Sequence, residues 1–155
     1  MLAIHDVMTL RPVTLRAKAT LGQVLEEFDR HDFNAFPVAG EDGAVLVGIV
    51  TKLDALRALR LRAEAGLAQS LTATLVEDMM RRGVVAVEPD DPVFVAADLM
   101  VETRLRSLPV VRRPRGSPPE LVGIVSQGDL LRGLRFAVAD TRLPTRHRKG
   151  ARLEV

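Results

Sequence analysis

Residues 48–54 read Gly-Ile-Val-Thr-Lys-Leu-Asp, and residues 123–129 read Gly-Ile-Val-Ser-Gln-Gly-Asp. Both stretches keep a glycine, an Ile-Val pair, a hydroxyl residue and an aspartate in the same order. The recurrence at an offset of 75 residues indicates an internal repeat. A repeat that fills half of a 155-residue chain decides the architecture of the whole.

The repeat extends upstream at an offset of 72 residues. Equivalent pairs at this offset are Met8 and Met80, Val13 and Val85, Phe36 and Leu108, Pro37 and Pro109, and Val38 and Val110. The offset grows by three residues between the turn-like segments 39–44 and 112–119. An insertion between two strands is tolerated at such a place because the connecting loop lies on the surface.

The first repeat has the pattern of a strand, a helix, two strands and a second helix. We predict strands at 13–15, 36–38 and 45–50, and a helix after Thr20, where apolar residues recur three and four apart. The second helix begins at Thr51, whose hydroxyl suits an N-cap. Asp54 follows three residues later, as the acid of a capping box does.

The second repeat has the same pattern. We predict strands at 84–87, 108–111 and 121–125, and a helix with Pro92 as its first residue. Ser126 and Asp129 repeat the hydroxyl and acid pair at the start of its last helix.

One such unit of about 50 residues buries too little apolar surface to be stable alone. We therefore predict an α/β (α+β) fold in which two β-α-β-β-α repeats, residues 1–70 and 71–140, pack about a pseudo-two-fold axis. The connection between them starts near residue 63. Residues 141–155 form a basic tail of net charge +4, and this composition predicts a flexible, solvated extension.

The composition argues against several classes of function. The chain has no Cys, its three His residues are widely spaced, and it contains no phosphate-binding glycine loop or nucleophile motif. We therefore expect neither a metal site nor catalytic residues, and the chain is not expected to be an enzyme. No apolar run approaches about 18 residues and no signal peptide is visible, so we expect a cytoplasmic protein with no membrane partner.

The order of these motifs, occurring twice, resembles the tandem CBS domain, or Bateman module, in its stand-alone form. The similarity covers residue 6 to about residue 134. It implies that clefts between the two repeats bind an adenine nucleotide or a related adenosyl ligand reversibly, without a tightly bound cofactor. AMP, ADP, ATP and S-adenosylmethionine are the ligands that the resemblance implies.

The resemblance also implies which residues hold the ligand. It assigns Thr51 and Asp54 to one cleft and Ser126 and Asp129 to the other, with each aspartate on the ribose hydroxyls and each hydroxyl residue facing ribose or phosphate. A helix N-terminus favours such an anion, and a carboxylate can accept from two vicinal hydroxyls. The adenine is expected against backbone and apolar walls at the following residues: Thr14, Ala86, Val38 and Val110.

Arg104 and Arg106 precede the Pro-Val strand of the second repeat, where family members often carry a basic residue for the phosphate. The first repeat has His31 and Asn34 in that stretch. We therefore expect one cleft to bind a phosphorylated ligand better than the other. In the simpler interpretation the hydroxyls and acids are helix caps alone and the two arginines are solvated charges.

The leading hypothesis is a regulatory module that senses an adenosyl ligand and signals to an unidentified protein partner. The resemblance further implies a homodimer formed through the helices, with exposed residues such as Leu56 and Leu131 in the contact. An oligomerisation or interaction scaffold with silent clefts is the alternative. Nucleic acid is expected to bind only through the basic tail, by salt-sensitive contacts without sequence preference.

Overall fold

The computed structural model describes residues 2–62 and 66–146. Its first seven elements are α1 (Ile4–Val7), β1 (Thr9–Leu10), β2 (Leu15–Arg16), α2 (Leu21–Arg30), β3 (Ala35–Ala39), β4 (Leu46–Thr51) and α3 (Lys52–Arg62). The next six are α4 (Leu67–Ala73), α5 (Val76–Met79), α6 (Val93–Thr103), β5 (Ser107–Arg112), β6 (Glu120–Ser126) and α7 (Gln127–Arg146).

Two three-stranded sheets repeat the same topology. One has the order β2-β3-β4 and the other β1-β6-β5. In both hairpins a proline faces an isoleucine, Pro37 opposite Ile49 and Pro109 opposite Ile124. A bulge follows Val38 in one hairpin and Val110 in the other. The predicted α/β fold of two equivalent repeats is confirmed.

Each repeat has its own aliphatic core. The first is built around Phe36, Leu21 and Val24, and the second around Leu108, Val93 and Ala96, all fully buried or nearly so. Helix α2 begins as predicted, because Thr20 caps it and exchanges hydrogen bonds with Gln23. Since a single sheet with two helices leaves one face uncovered, the two repeats pack on each other.

The segment that precedes each repeat packs into the other repeat. We call residues 2–10 and 74–82 the leading segments. Ile4, in the first of them, is fully buried in the second core, and β1 pairs with β6. Val76, in the other, is fully buried in the first core, and its amide donates to the Ala19 carbonyl at 2.8 Å. The spatial units therefore differ from the predicted boundaries, residues 1–70 and 71–140.

Three local predictions need correction. Residues 84–87 form no strand; only Val87 is bridged, to Val110. The extended pairing stops there because Pro89 lies two residues on and has no amide to donate. Pro92 is the N-cap of α6 and not its first residue. The connection is also more ordered than predicted, since α4 lies within it and the Ser70 hydroxyl donates to the Arg62 carbonyl at 2.7 Å.

The last helix extends beyond the predicted second repeat. Helix α7 runs to Arg146 and so includes the first six residues of the predicted tail. Residues 147–155, on which the predicted nucleic-acid contact largely depends, lie outside the described residues. Within the described ranges, no helix is both long and apolar enough to cross a membrane.

Candidate ligand-binding clefts

The starts of α3 and α7 have the same local geometry. In α3, the Asp54 amide donates to Thr51 Oγ1 at 3.1 Å and the Thr51 amide donates to Asp54 Oδ2 at 2.9 Å. In α7, the Asp129 amide and Ser126 Oγ, and the Ser126 amide and Asp129 Oδ2, are joined by bonds of the same lengths. Both repeats therefore form a capping box with an aspartate in place of the usual glutamate.

Glycine at the start of each repeated motif lets a leading segment lie against the sheet. A Cβ atom added to Gly48 would come within 2.6 Å of Met80 Sδ, and one added to Gly123 would come within 2.8 Å of the Thr9 carbonyl oxygen. Each leading segment consequently passes beside the helix start of the other repeat. Two clefts between the repeats result, one at each helix start.

The larger cleft has a volume of about 600 Å³ and includes Ser126 and Asp129. We call it the Asp129 cleft. The first repeat contributes residues 9–13 and 32–35 to its lining, and the second contributes the start of α7 together with Arg106. Its volume lies in the usual range for a cleft that binds a small molecule.

Cations outnumber anions around the Asp129 cleft. Arg11, Arg106 and Arg132 line it, against Asp32 and Asp129. Arg132 makes an ion pair with Asp129 along the first turn of α7, and the Asp129 carboxylate is almost fully buried. The surplus of guanidinium groups beside a helix N-terminus favours an anionic ligand.

The backbone of Arg11 supports a role for this side chain in the cleft. Its φ angle is 51°, in the left-handed region that L-residues rarely adopt. Such a conformation costs roughly 1–2 kcal/mol in a non-glycine residue. Backbone strain of this kind is concentrated at functional sites.

The second cleft has a volume of about 440 Å³ and includes Thr51, Arg81, Arg104 and Arg106. We call it the Thr51 cleft. Asp54 is not part of its lining, because Arg81 Nε donates to Asp54 Oδ1 at 3.1 Å. Asp54 instead borders a smaller cavity of about 180 Å³ beside Arg57 and Asp78. The two clefts thus differ in access to their aspartates.

The structure brings some of the predicted site residues together and separates others. Ser126, Asp129 and Arg106 meet in the Asp129 cleft, while Thr51, Arg104 and Arg106 meet in the Thr51 cleft.

The predicted adenine walls need correction. Val38 and Val110 are fully buried in the two cores, because both faces of β3 and β5 are covered. They line neither cleft, and neither do Thr14 and Ala86. Val13 lies on the Asp129 cleft, near the predicted position of the adenine.

Sequence reasoning missed Arg11, Arg132 and Phe33 as cleft residues. Arg132 follows Asp129 by three positions, a spacing that signals an ion pair on a helix. Phe33 is matched with Leu105 in the other repeat and therefore reads as a core residue. It is half-exposed at the Asp129 cleft, with its ring stacked on His31 at a centroid distance of 5.0 Å. No pattern in the sequence marks Arg11.

The part of the chain that the structure describes offers no group of three or more His, Asp or Glu side chains that could hold a metal ion. Any ligand of these clefts would have to be recognised by arginines, helix N-termini and carboxylates.

Comparison with known proteins is consistent with this architecture. The sequence profile of the CBS domain matches residues 4–61 and again residues 76–135. The CBS domain-containing protein YhcV of Bacillus subtilis is 32% identical over 130 residues, which cover 84% of each chain.

Two solved structures share the fold over nearly their whole length. The structure of CBSX2 in complex with AMP has a TM-score of 0.72 and 25% identity, and the match covers 92% of this chain and 100% of that one. The CBS domain pair of protein MJ0100, solved with 5'-methylthioadenosine and S-adenosyl-L-methionine, has a TM-score of 0.71 and 26% identity, with coverages of 88% and 98%.

Other relatives are much longer proteins. The chain spans only 24% of the homoserine O-acetyltransferase of Methanococcoides burtonii, with which it is 30% identical over 130 residues. The shared part is the repeat pair, since the aligned segment takes up 84% of this chain. Together with the repeated topology and the two capping boxes, the matches establish that the chain belongs to the CBS domain family and carries two CBS domains in tandem.

Proposed function

We propose that this chain is a regulatory module that binds a phosphorylated adenosine reversibly in the Asp129 cleft. The observation that carries the proposal is the convergence of Arg11, Arg106 and Arg132 on the N-terminus of α7, beside the buried Asp129. CBSX2, which has the same fold, was solved with AMP, so a ligand of this kind fits such a repeat pair.

Asp129 is the proposed acceptor for the ribose hydroxyls. Its Oδ2 already accepts from the Ser126 amide, while Oδ1 faces Arg132. The Arg132 side chain is 67% exposed, so it is free to turn toward a phosphate. Its departure would leave Oδ1 to accept from ribose, and the two new charge-assisted bonds would replace one surface ion pair.

The remaining lining suits the other parts of the ligand. Pro12, Val13 and Ile124 offer apolar surface for the adenine, and the Phe33 ring lies at the same cleft. Arg11 and Arg106 are placed on the lining for a phosphate group. MJ0100 was solved with S-adenosyl-L-methionine and methylthioadenosine. In this chain the excess of arginine favours a phosphate ester over a ligand that carries a cationic sulfonium.

Isothermal titration with AMP, ATP and S-adenosylmethionine tests this proposal. Asp129→Asn keeps the size of the side chain but weakens its acceptor role, and we expect the affinity for the nucleotide to fall roughly 10- to 100-fold, as for loss of charged hydrogen bonds. Asp98→Asn, on the exposed face of α6, is the matched control and should leave binding unchanged. Unaltered binding by Asp129→Asn would contradict the assignment.

Signalling to a partner is proposed to follow from the position of the cleft. Because the ligand contacts both repeats, its binding would favour one relative arrangement of the repeats over another. A partner that recognises that arrangement must in turn tighten nucleotide binding by the same factor. If no adenosyl ligand binds at millimolar concentration, the scaffold alternative takes its place.

A homodimer through α3 and α7 is part of the same proposal. Leu56 and Leu131 hold equivalent positions on these helices and are 61% and 69% exposed. Sedimentation of Leu56→Asp together with Leu131→Asp should show a monomer where the unaltered chain forms a dimer. A dimer that persists in the double variant would place the contact elsewhere.

A further inference from the structure

We propose that Arg81 is an internal counter-ion that closes the Thr51 cleft to adenosyl ligands, so that each chain binds one ligand and not two. The inference rests on the proposed function, because it assumes that an accessible aspartate is what makes a cleft competent. It concerns the cleft that the proposed function leaves aside.

The Asp54 carboxylate has no free acceptor position toward the Thr51 cleft. Its Oδ2 accepts from both the amide and the hydroxyl of Thr51, each at 2.9 Å. Its Oδ1 accepts from Arg81 Nε at 3.1 Å, with Arg57 Nη1 at 3.9 Å. Since Asp54 is only 6% exposed, these contacts use the acceptor capacity of a nearly buried group.

Arg81 comes from the leading segment of the other repeat. It is bridged to Ile49, and the two residues exchange backbone hydrogen bonds of 2.9 and 3.0 Å. Thr9 holds the equivalent place in the Asp129 cleft, where it pairs with Ile124. Thr9 and Arg81 are 72 residues apart, and Ile49 and Ile124 are 75 apart, so both pairs follow the internal repeat. The same backbone position thus carries a short neutral side chain at one cleft and a guanidinium at the other.

Asp129 also has an arginine partner, but that pair differs in kind. Arg132 lies on the same helix as Asp129, and its counterpart beside Asp54 is Arg57. Asp129 remains part of the lining of its own cleft, whereas Asp54 is absent from the lining of the Thr51 cleft. Arg81 is therefore an additional cation that the Asp129 cleft does not have.

A ribose that entered the Thr51 cleft would have to displace Arg81 from Asp54. The displaced guanidinium would lose its partner, and the ribose hydroxyls would supply no positive charge to the buried carboxylate. Removing one member of a buried charge pair is strongly unfavourable. Arg81 consequently discriminates against an adenosyl ligand at this cleft.

The test exchanges the two side chains between the clefts. Arg81→Thr gives the Thr51 cleft the residue that the Asp129 cleft has, and Thr9→Arg makes the opposite change. Titration calorimetry with AMP and ATP should give one site for the unaltered chain and two for Arg81→Thr. The added site should disappear again when Asp54→Asn is combined with Arg81→Thr, and Thr9→Arg should weaken the original site at least 10-fold.

The controls separate the gate from general effects. Arg82→Thr removes the neighbouring guanidinium, which contacts only the Glu77 carbonyl at 3.5 Å among the hydrogen bonds found, and should keep one site. Arg81→Gln retains a long donor side chain without the charge and should also gain a site, which keeps the test decisive if Arg81→Thr folds poorly.

Two results would overturn the inference: two sites in the unaltered chain, or an unchanged number of sites in both Arg81 variants. Failure of the proposed function looks different. If the unaltered chain binds neither nucleotide and Arg81→Thr binds one, Arg81 is the gate but the Asp129 cleft is not the natural site.

Discussion

Gly48 and Gly123 set the distance between each leading segment and the sheet it covers. An added methyl group at Gly123 would meet the Thr9 backbone, while one at Gly48 would first meet the flexible end of Met80. We expect Gly123→Ala to lower the free energy of unfolding by about 1–3 kcal/mol, and Gly48→Ala by less, because a side chain yields more easily than backbone.

Urea denaturation measures both changes, with Gly83→Ala as the control. A Cβ atom at Gly83 meets nothing within 4 Å, so that variant should be neutral or more stable by up to about 1 kcal/mol. A Gly123→Ala protein as stable as the Gly83→Ala protein would show that the leading segment is not held closely.

Asp42 makes the turn between β3 and β4 sensitive to acid. The amides of Ala44 and Val45 donate to its carboxylate at 3.0 and 3.3 Å and hold the pKa of Asp42 below its ordinary value of 3.8. A group whose pKa is lowered on folding stabilises the protein fully above its unfolded pKa, and that contribution is lost as the pH falls through the lowered value.

The stability advantage of the unaltered chain over Asp42→Asn should therefore be constant above about pH 5 and shrink below about pH 4. Urea midpoints measured from pH 3 to pH 7 test this, with Asp98→Asn controlling for the loss of a carboxylate. A difference that grows toward low pH would have the wrong sign.

The N-caps of α2 and α7 separate stability from binding at the level of the helix. Thr20 caps α2 away from both clefts, and Ser126 caps α7 inside the Asp129 cleft. Thr20→Ala and Ser126→Ala should each cost about 1 kcal/mol of stability. Only Ser126→Ala should also weaken binding of AMP, as measured by calorimetry. Equal loss of binding in both variants would mean that affinity merely follows stability.

Elements that depend on local signals could be predicted from the sequence. Thr20, Thr51 and Ser126 announce the helices that follow them, and the two Pro-Val strands mark equivalent hairpins. The four-residue helices α1 and α5 lack such signals, because they exist through contacts with the opposite repeat.

The candidate site was less predictable than the fold. Val38 was expected in a cleft because its strand has no alternation of apolar and polar residues, so its sequence does not show which face is covered. Arg81 was not expected beside Asp54, since the 72-residue offset relates the two repeats without showing that their leading segments are exchanged.

At the scale of the whole molecule, the exchange of leading segments makes the two cores depend on each other. Ile4 and Val76 hold equivalent positions, and each is fully buried in the core of the other repeat. We expect Ile4→Ala to cost about 2–5 kcal/mol, and Val76→Ala somewhat less. Both should shift a single transition, because neither core is complete without the other half.

Urea unfolding followed by circular dichroism and by methyl proton NMR tests this, since coincident curves define a two-state transition. Val101→Ala, at an exposed position of α6, is the control and should change stability by no more than about 0.5 kcal/mol. Two separate transitions, with only one of them shifted by Ile4→Ala, would show that the repeats unfold independently.

The exchange also fixes an order of events during translation. The segment that contains Val76 emerges soon after the strands it covers, so the first core can close when about half of the chain has been made. Residues 2–10, in contrast, have no sheet to join until residues 120–126 leave the ribosome. At about 5–20 residues per second this wait is on the order of ten seconds. During that time Ile4 and β1 are unpaired on the nascent chain, and the Asp129 cleft is therefore the last part of the molecule to form.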